Sequence, residues 1–528
     1  MGDLTDVPEA TESDDANGNS RRRKETDMQR RNWILLGVCM ATFMILIDVT
    51  IVNVALPTVG RQLHANLTDL QWIIDAYAIV LAALTLTAGT VADRVGRRLV
   101  FRLGLATFTF ASLLCGLAGS VSILEIARAA QGLGGAAMLA TSLALIGQEF
   151  TGPERAGAFA AWGATAGAGV ALGPLAGGLL TQTLTWRWIF FVNVPVGLVA
   201  LGIALAKMNR TEARGSRRLD LGGLFCFSGA LFLLAYSLLR GNAVGWSQPS
   251  IVGPLVGAAA LVGLFVVVEA RRNEPMIELS LFRKPAFTGV SLAMLALAAG
   301  MFANVFFLSL YLQAILGYSP LQAGLRLLFL TGLVFAVPLV ARPLVSRVEP
   351  RVSLSAGLGL AAAGLLFMHS VDVTSSWHHL IPGLLLCGTG IGLANPTIAS
   401  VAMSVVERER GGMASGVTNT IRMAGLAFGI ATLGALFQAR IADALGPHKA
   451  LAPAVASTGL HVIAREPALA PLVRHAFLNG LGDVLLAGAV ITSIGAVAAA
   501  CLIRSTRSLH DTVAEPESVM GRHALELG

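Results

Sequence analysis

The sequence predicts an all-α polytopic membrane protein, and three observations support this fold class. Of the 528 residues, 55% are hydrophobic and 13% are charged, whereas a soluble domain carries about 25% charged residues. From Trp33 onward, apolar runs of about 20 residues recur, and each is long enough to cross a bilayer. Basic residues concentrate in alternate loops between these runs, as the positive-inside rule describes for cytoplasmic loops.

The apolar runs predict fourteen membrane spans, which we number in chain order. With the N-terminus in the cytoplasm, the predicted cytoplasmic segments hold about 28 of the 38 Lys and Arg residues. This alternation requires an even number of spans, with both termini in the cytoplasm. The predicted spans cover residues 33–57, 70–91, 99–119, 122–147, 157–181, 188–207, 219–240, 250–269, 286–312, 321–341, 353–371, 380–405, 413–437 and 478–503.

The segments between and beyond the spans predict the domain organisation. Residues 1–32 are polar and lack the apolar core and cleavage site of a signal peptide, which predicts a disordered cytoplasmic tail. The outer loop 438–477 is poorly patterned, and we interpret it as filler or as a mobile lid. The predicted organisation is a tail over 1–32, a six-helix bundle over 33–207, two inserted helices over 208–270, a second six-helix bundle over 271–503 and a cytoplasmic tail over 504–528.

An internal repeat relates the two bundles. The segment ADRVGRR at Ala92–Arg98 parallels VSRVEPR at Val345–Arg351, at an offset of 253 residues. The segment QGLGGAA at Gln131–Ala137 parallels CGTGIGL at Cys387–Leu393, at an offset of 256 residues. Spans 1–6 therefore repeat as spans 9–14, with spans 7 and 8 inserted between them. Two repeated halves around a central path are typical of a secondary transporter.

Three ionisable side chains occur at a similar depth in the first bundle. At about 1.5 Å per residue, Asp48 lies deep in span 1, while Asp75 and Arg128 lie shortly inside spans 2 and 4. Because a charge in lipid is costly, such groups face the interior and pair. We therefore expect Asp48 to contact Arg128, with Asp75 nearby. Low polarity favours a protonated acid and an arginine favours the carboxylate, so such an acid exchanges protons when access alternates between the two sides.

Other interpretations of these charges stay open. Asp48 and Arg128 also fit a static structural pair. Glu125 lies three residues before Arg128 on the same helix face, where it would neutralise Arg128 in place of Asp48. Asp75 lies close to the membrane interface, where it would also attract a cationic substrate.

Span 5 carries a stripe of small residues together with a proline. Gly169, Gly173 and Gly177 are four residues apart, so they form one smooth face that lets another helix approach closely. Pro174 removes a backbone donor and kinks the helix. With Gly178, these residues predict a helix that packs closely and bends or slides, and ordinary packing is the alternative.

The loop between spans 2 and 3 predicts a conformational lock. Asp93 is expected to bond a neighbouring span in the outward-open state and to release it when the halves rock. Positive-inside topology explains part of the arginine count here, but it requires neither an acid nor a glycine. The candidate lock residues are Gly89, Asp93, Arg94, Gly96, Arg97 and Arg98.

Other polar side chains in or near spans are candidates for the central substrate path, because intramembrane polar groups mark such paths. The candidates are Asn53, Tyr77, Gln131, Asn304 and Arg422.

Three segments resemble motifs of the major facilitator superfamily. GTVADRVGRR at Gly89–Arg98 is similar to its signature between spans 2 and 3. LEIARAAQGLGGAA at Leu124–Ala137 resembles its span 4 motif, with Arg128 at the motif arginine, which the resemblance implicates in proton transfer. GVALGPLAGG at Gly169–Gly178 resembles the span 5 motif of the antiporters in this superfamily.

Two further segments resemble one branch of that superfamily. DVTIVNVALP at Asp48–Pro57 and WRWIFFVNVPVG at Trp186–Gly197 are similar to the fourteen-span drug:proton antiporters of the EmrB/QacA type. The resemblance implies the major facilitator fold and proton-driven export of hydrophobic or cationic small molecules by alternating access. The expected setting is the cytoplasmic membrane, and the expected partners are a small-molecule substrate, protons and lipid, with the protein a monomer.

Alternatives within the same fold are a proton-coupled importer and a lipid or metabolite exporter. A less favoured alternative is a receptor or scaffold that transports nothing. The sequence holds no GxxxxGK[ST] loop, no HExxH motif and no metal-ligand cluster, so we expect neither an enzyme nor a cofactor or metal, and the energy source is the proton gradient. The basic residues are scattered among short loops, which argues against binding of nucleic acid.

Overall fold

A computed structural model describes residues 10–150, 152–208, 220–272, 279–341, 348–372, 375–404 and 411–503. Within these ranges, 14 helical segments are long and apolar enough to cross a membrane, which matches the predicted number of spans. Span 1 to span 14 are Met28–Leu63, Leu67–Val95, Arg97–Leu117, Val121–Glu149, Gly157–Thr183, Trp188–Lys207, Leu221–Gly241, Pro249–Arg271, Pro285–Ile315, Pro320–Val340, Pro350–His369, Trp377–Ser404, Gly416–Ser457 and Pro467–Leu502.

Span 1 is the apolar part of a longer helix, Ala10–Leu63. Residues 10–32 are therefore helical rather than disordered as predicted. This segment is rich in Arg and also contains Glu, Lys, Met and Gln, which favour helix, and it extends a helix that span 1 has already nucleated. Residues 1–9 and the predicted tail 504–528 lie outside the described residues.

Two spans are not continuous α-helices. Span 6 is divided into Trp188–Phe191 and Asn193–Lys207, because Pro195 has no N–H to bond the carbonyl of Phe191. Span 9 alternates α-helix with two π-helical stretches. Its parts are Pro285–Ala296, Leu297–Phe302 (π), Ala303–Leu310 and Tyr311–Ile315 (π).

The predicted outer loop 438–477 is helical along most of its length. The helix of span 13 runs from Gly411 to Leu445, and a 3₁₀ turn and the helix Ala452–Arg465 follow it. Val455 and Ala456 are fully buried in the main hydrophobic core. The loop is therefore a packed helical layer rather than a structureless connection. Its apolar positions recur at helical spacing, which the interpretation as filler overlooked.

Close glycine contacts reproduce the internal repeat in three dimensions. A Cβ atom added to Gly104 would lie 2.9 Å from the Gly134 carbonyl oxygen, where spans 3 and 4 cross. A Cβ atom added to Gly357 would lie 2.8 Å from the Gly390 carbonyl oxygen, where spans 11 and 12 cross. These pairs stand at the offsets of 253 and 256 residues that the sequence shows. The two halves are thus built from equivalent helix crossings.

The halves meet where spans 2 and 13 pack together and where spans 5 and 10 pack together. The inserted span 7 packs against spans 2 and 13, and span 8 packs on span 7, so the inserted pair lies beside this boundary. The turns lie at two opposite faces of the bundle. We call them the Gly96 face, which carries the turn between spans 2 and 3, and the Asn66 face, which carries the turn between spans 1 and 2.

Candidate functional site

A buried ion pair joins spans 1 and 4. The Arg128 guanidinium donates to Oδ2 of Asp48, and the two side chains are 1% and 0% exposed. The structure therefore brings together the two groups that sequence depth placed at one level. The alternative that Glu125 replaces Asp48 does not hold, because no ion pair joins Glu125 to Arg128 among the described residues. Glu125 instead lines a cleft at the Asn66 face.

Three amide or hydroxyl side chains complete this pair, and we call the five residues the Asp48 network. Gln131 accepts from Nη1 of Arg128 at 2.7 Å and donates to Oδ1 of Asp48 at 2.9 Å. Its amide nitrogen also lies 2.9 Å from the Ser112 hydroxyl, and Asn193 donates to Asp48 Oδ1 at 3.5 Å. Both oxygens of Asp48 are thus bonded, which offsets the cost of burying the charge.

Arg128 is held from span 2 as well. Its Nε donates to the Ile73 carbonyl oxygen at 3.0 Å, and its guanidinium lies 4.3 Å from the centroid of the Tyr77 ring. A cation over an aromatic face is attracted by the ring quadrupole. On span 13 of the other half, Arg422 donates to Asn419 at 2.9 Å. Span 2, which carries Tyr77, packs against span 13.

Asp75 is not part of the Asp48 network. Ile73 and Asp75 are two residues apart, so their directions from the helix axis differ by about 200°. Gln71, one turn before Asp75, donates to the Ile430 carbonyl oxygen at 2.8 Å, which directs this side of span 2 toward span 13. Asp75 is fully buried, and neither carboxylate oxygen has a hydrogen-bond partner among the described residues. Asp75 therefore lies on the side of span 2 that packs against the other half, and not on the side that contacts Arg128.

The other candidates for the substrate path are packed in this conformation. Asn53 lies at the seam of spans 1 and 9, where its carbonyl oxygen accepts from the Ser309 hydroxyl at 3.0 Å. Asn304 occupies the position in the second half that is equivalent to Asp48, at the repeat offset of 256 residues. Its amide donates to the Gly300 carbonyl oxygen at 2.5 Å. Its amide faces Gly488 of span 14 rather than the boundary between the halves.

The predicted lock segment forms a tight turn at the Gly96 face. Gly96 has φ of 106°, a conformation that residues with a side chain rarely adopt. Asp93 accepts from Nε of Arg97 at 2.9 Å, within the same segment. Among the described residues, no ion pair joins Asp93 to another span, so the predicted inter-span bond is absent in this conformation. Gly89 and Arg94 lie beside this turn, on the last turns of span 2.

Glu149, which the sequence reasoning missed, binds two arginines at this face. Its carboxylate accepts from Arg98 of span 3 and, at 3.3 Å, from Arg30 of the first helix. Its side chain is 5% exposed. The sequence signal for this role was an acidic residue at the end of span 4, on the face where arginines concentrate. Val345–Arg351, the repeat copy of the lock segment, falls partly outside the described residues because 342–347 are not described.

The glycine stripe of span 5 contacts both halves. A Cβ atom added to Gly169 would lie 3.2 Å from the Ile47 nitrogen, and one added to Gly173 would overlap the Thr50 hydroxyl. Gly177 likewise faces Ile51, so the stripe lies directly on span 1. In span 13, Gly429 lies equally close to Ala299 of span 9, which is the equivalent crossing.

The end of the stripe reaches span 10. A Cβ atom added to Gly178 would lie 2.5 Å from the Pro320 carbonyl oxygen, and Gly324 faces the carbonyl of Pro174. Thr331 of span 10 donates to the Ala171 carbonyl oxygen at 2.9 Å. One side of this segment of span 5 therefore packs on span 1 of its own half, and the adjacent side packs on span 10 of the other half.

Two repeated six-span halves, with buried charges beside the boundary between them, define a membrane transporter. The family model of the Major Facilitator Superfamily matches residues 38–430. The chain belongs to the major facilitator superfamily.

Named relatives agree with this assignment. A tetracenomycin C resistance and export protein of Streptomyces glaucescens is 32% identical over an alignment 533 positions long, which covers 96% of this chain and 98% of that protein. The multidrug resistance protein Stp of Mycobacterium tuberculosis is 37% identical over 416 residues, covering 78% and 77% of the two chains. The crystal structure of a bacterial homologue of the human lysosomal transporter Spinster matches with a TM-score of 0.60 and 18% identity, covering 89% of this chain and 96% of that one, and this likeness concerns the fold.

Proposed function

We propose that the protein exports hydrophobic or cationic small molecules in exchange for protons, by alternating access. The observation that carries the proposal is the Asp48 network, because it buries a carboxylate whose partners are an arginine and neutral donors. Similarity to a tetracenomycin C resistance and export protein and to a multidrug resistance protein supports export of small molecules. The proposed protein is a monomer that uses a proton gradient and needs no cofactor, metal, catalytic activity or nucleic acid.

Proton coupling follows from the chemistry of the network. When Asp48 takes up a proton, it no longer neutralises Arg128, and the guanidinium must find its compensation elsewhere. Tyr77 offers its ring to Arg128 and belongs to span 2, which packs against span 13 of the other half. We propose that protonation of Asp48 acts on the boundary between the halves through span 2. Asp75, on the side of span 2 that faces span 13, is the second proposed proton-binding or cation-binding group.

The two halves are in contact at the Asn66 face in this conformation. At the Asn66 face, Gln182 of span 5 accepts from Ser319 at 2.6 Å, and Gly178 lies against Pro320. We assign the Gly96 face to the cytoplasm from the positive-inside rule, with both termini on that side of the cytoplasmic (inner) membrane.

The test uses purified protein in proteoliposomes with an imposed pH gradient. Antiport predicts that a hydrophobic cation accumulates on the acidic side, and that adding substrate dissipates the gradient. A proton-coupled importer would move the substrate in the same direction as the protons. Substrate transport that does not depend on the pH gradient would contradict proton coupling and would indicate facilitated export.

Asp93→Asn is expected to slow transport and to spare substrate binding. The substitution removes the acid that is proposed to bond a neighbouring span in the outward-open state. In the present conformation it loses only the pair with Arg97, and exposed pairs of this kind contribute about 0–1 kcal/mol. Initial efflux rates and equilibrium binding are measured on the same preparation. Normal turnover in this variant would refute the lock.

Glu149→Gln is expected to destabilise the protein more than Asp93→Asn does. The Glu149 carboxylate is 5% exposed and neutralises Arg98 and Arg30, so its loss costs more than the loss of an exposed pair, which contributes about 0–1 kcal/mol. Thermal unfolding of both variants in one detergent compares them directly. Equal melting temperatures would show that Glu149 does not hold the ends of these helices together.

A further inference from the structure

The cleft that Glu125 lines at the Asn66 face lies away from the Asp48 network. It has a volume of about 490 Å³ and lies between spans 2, 4 and 7. Span 7 belongs to the inserted pair, to which neither the fold nor the proposed antiport gives a role. The lining residues are Asn66, Thr68, Asp69, Trp72, Glu125, Phe232, Tyr236, Leu239 and Arg240.

Aromatic rings form one side of the cleft. Trp72 of span 2 and Phe232 of span 7 have ring centroids 5.9 Å apart, and Phe232 stacks on Tyr236 with centroids 6.4 Å apart. Phe232 is 50% exposed, so a ring face is available to a ligand. Arg240 already lies 5.5 Å from the centroid of the Tyr236 ring, which shows that a cation is accommodated against this wall.

Two carboxylates also line the cleft. Glu125 of span 4 is half-buried, and Asp69 of span 2 is near enough for the two like charges to repel each other. One oxygen of Asp69 accepts from the Asn66 backbone N–H at 2.9 Å, which completes the cap of span 2. Among the described residues, no hydrogen bond or ion pair engages Glu125. With two acids and one arginine, Arg240, the lining carries a formal net charge of −1 when both acids are ionised.

We infer that this cleft binds a weakly hydrated organic cation, such as a quaternary ammonium or an arylated phosphonium. Rings on one side attract such a cation through their quadrupoles, and Glu125 supplies the opposite charge. The volume falls within the range of small-ligand pockets, about 300–1,000 Å³. Among the described residues no group of three potential metal ligands occurs, whereas three aromatic rings line this cleft. The inserted span 7 thereby contributes half of a cation site outside the central path.

The test is equilibrium binding of tetraphenylphosphonium to the full-length protein in nanodiscs, measured by calorimetry without a proton gradient. The unmodified protein is expected to show a binding component that Glu125→Gln and Phe232→Leu each weaken by at least about threefold. Tetraphenylborate, an anion of the same shape, is expected not to compete. Phe225→Leu is the matched control, because Phe225 lies on the same span and is 70% exposed outside the cleft.

The results separate this site from the proposed antiport. Asp48→Asn is expected to leave the cleft component intact, so loss of transport and loss of this site are distinguishable. Unchanged affinity and stoichiometry in both Glu125→Gln and Phe232→Leu would overturn the inference. Equal weakening by Phe225→Leu would do so as well, because it would show a general response of span 7 to the loss of a ring.

Discussion

Asp48→Asn is expected to abolish proton-driven export while leaving substrate exchange between the two sides intact. A pH difference of one unit is worth about 1.4 kcal/mol per proton, which supports about a tenfold substrate ratio for each proton exchanged. Asparagine neither takes up nor releases a proton in this range. The accumulation ratio in proteoliposomes should therefore fall from about tenfold to about one, while counterflow without a pH gradient persists.

The counterflow measurement separates lost coupling from lost folding. Asp48→Asn leaves the charge of Arg128 without its partner, and it presents an amide nitrogen to the donors of Gln131 and Asn193. Some loss of stability is therefore expected. Asp443→Asn, the same substitution at an exposed position, is the matched control. A substrate gradient as large as that of the unmodified protein would refute the assignment of Asp48 to coupling.

The sequence predicted the features that depend on length and repetition. Runs of about 20 apolar residues are sufficient to predict the spans, because the thickness of the bilayer sets their length. The repeat offsets also apply to Gly104 and Gly134, whose equivalents are Gly357 and Gly390, since equivalent crossings need the same small residues. The contact of Asp48 with Arg128 followed from depth and from the cost of an unpaired charge in lipid.

The sequence did not predict the direction in which a side chain leaves its helix, nor contacts between residues that are far apart in the chain. Depth placed Asp75 beside Asp48, but the rotation of span 2 directs it toward span 13, and the rotation follows from the packing of the whole bundle. Asn193 lies in a motif that was noted for its resemblance, and no local pattern indicates that its amide reaches Asp48. Glu149 binds Arg98 and Arg30 from two other helices, so its role depends on how three helix ends converge.

Gly173→Leu is expected to block transport without preventing insertion into the membrane. A Cβ atom at Gly173 overlaps the Thr50 hydroxyl and lies 3.1 Å from the Ile51 nitrogen, so spans 1 and 5 must move apart. Overpacking of this kind costs about 1–3 kcal/mol, and it displaces the segment that also contacts span 10. Because spans 5 and 10 join the two halves, their relative movement should stop.

Gly163→Leu provides the matched control on the same helix. The substitution and its effect on helix propensity are identical, but a Cβ atom at Gly163 meets no described atom within 4 Å. Both variants are expected to reach the membrane in similar amounts, and only Gly173→Leu is expected to lose most of its efflux of a fluorescent cation. Efflux as fast as that of the unmodified protein in both variants would reduce the stripe to ordinary helix packing. An equal loss of efflux in both variants would instead indicate that span 5 tolerates no large side chain, so the contact with Thr50 would not be the cause.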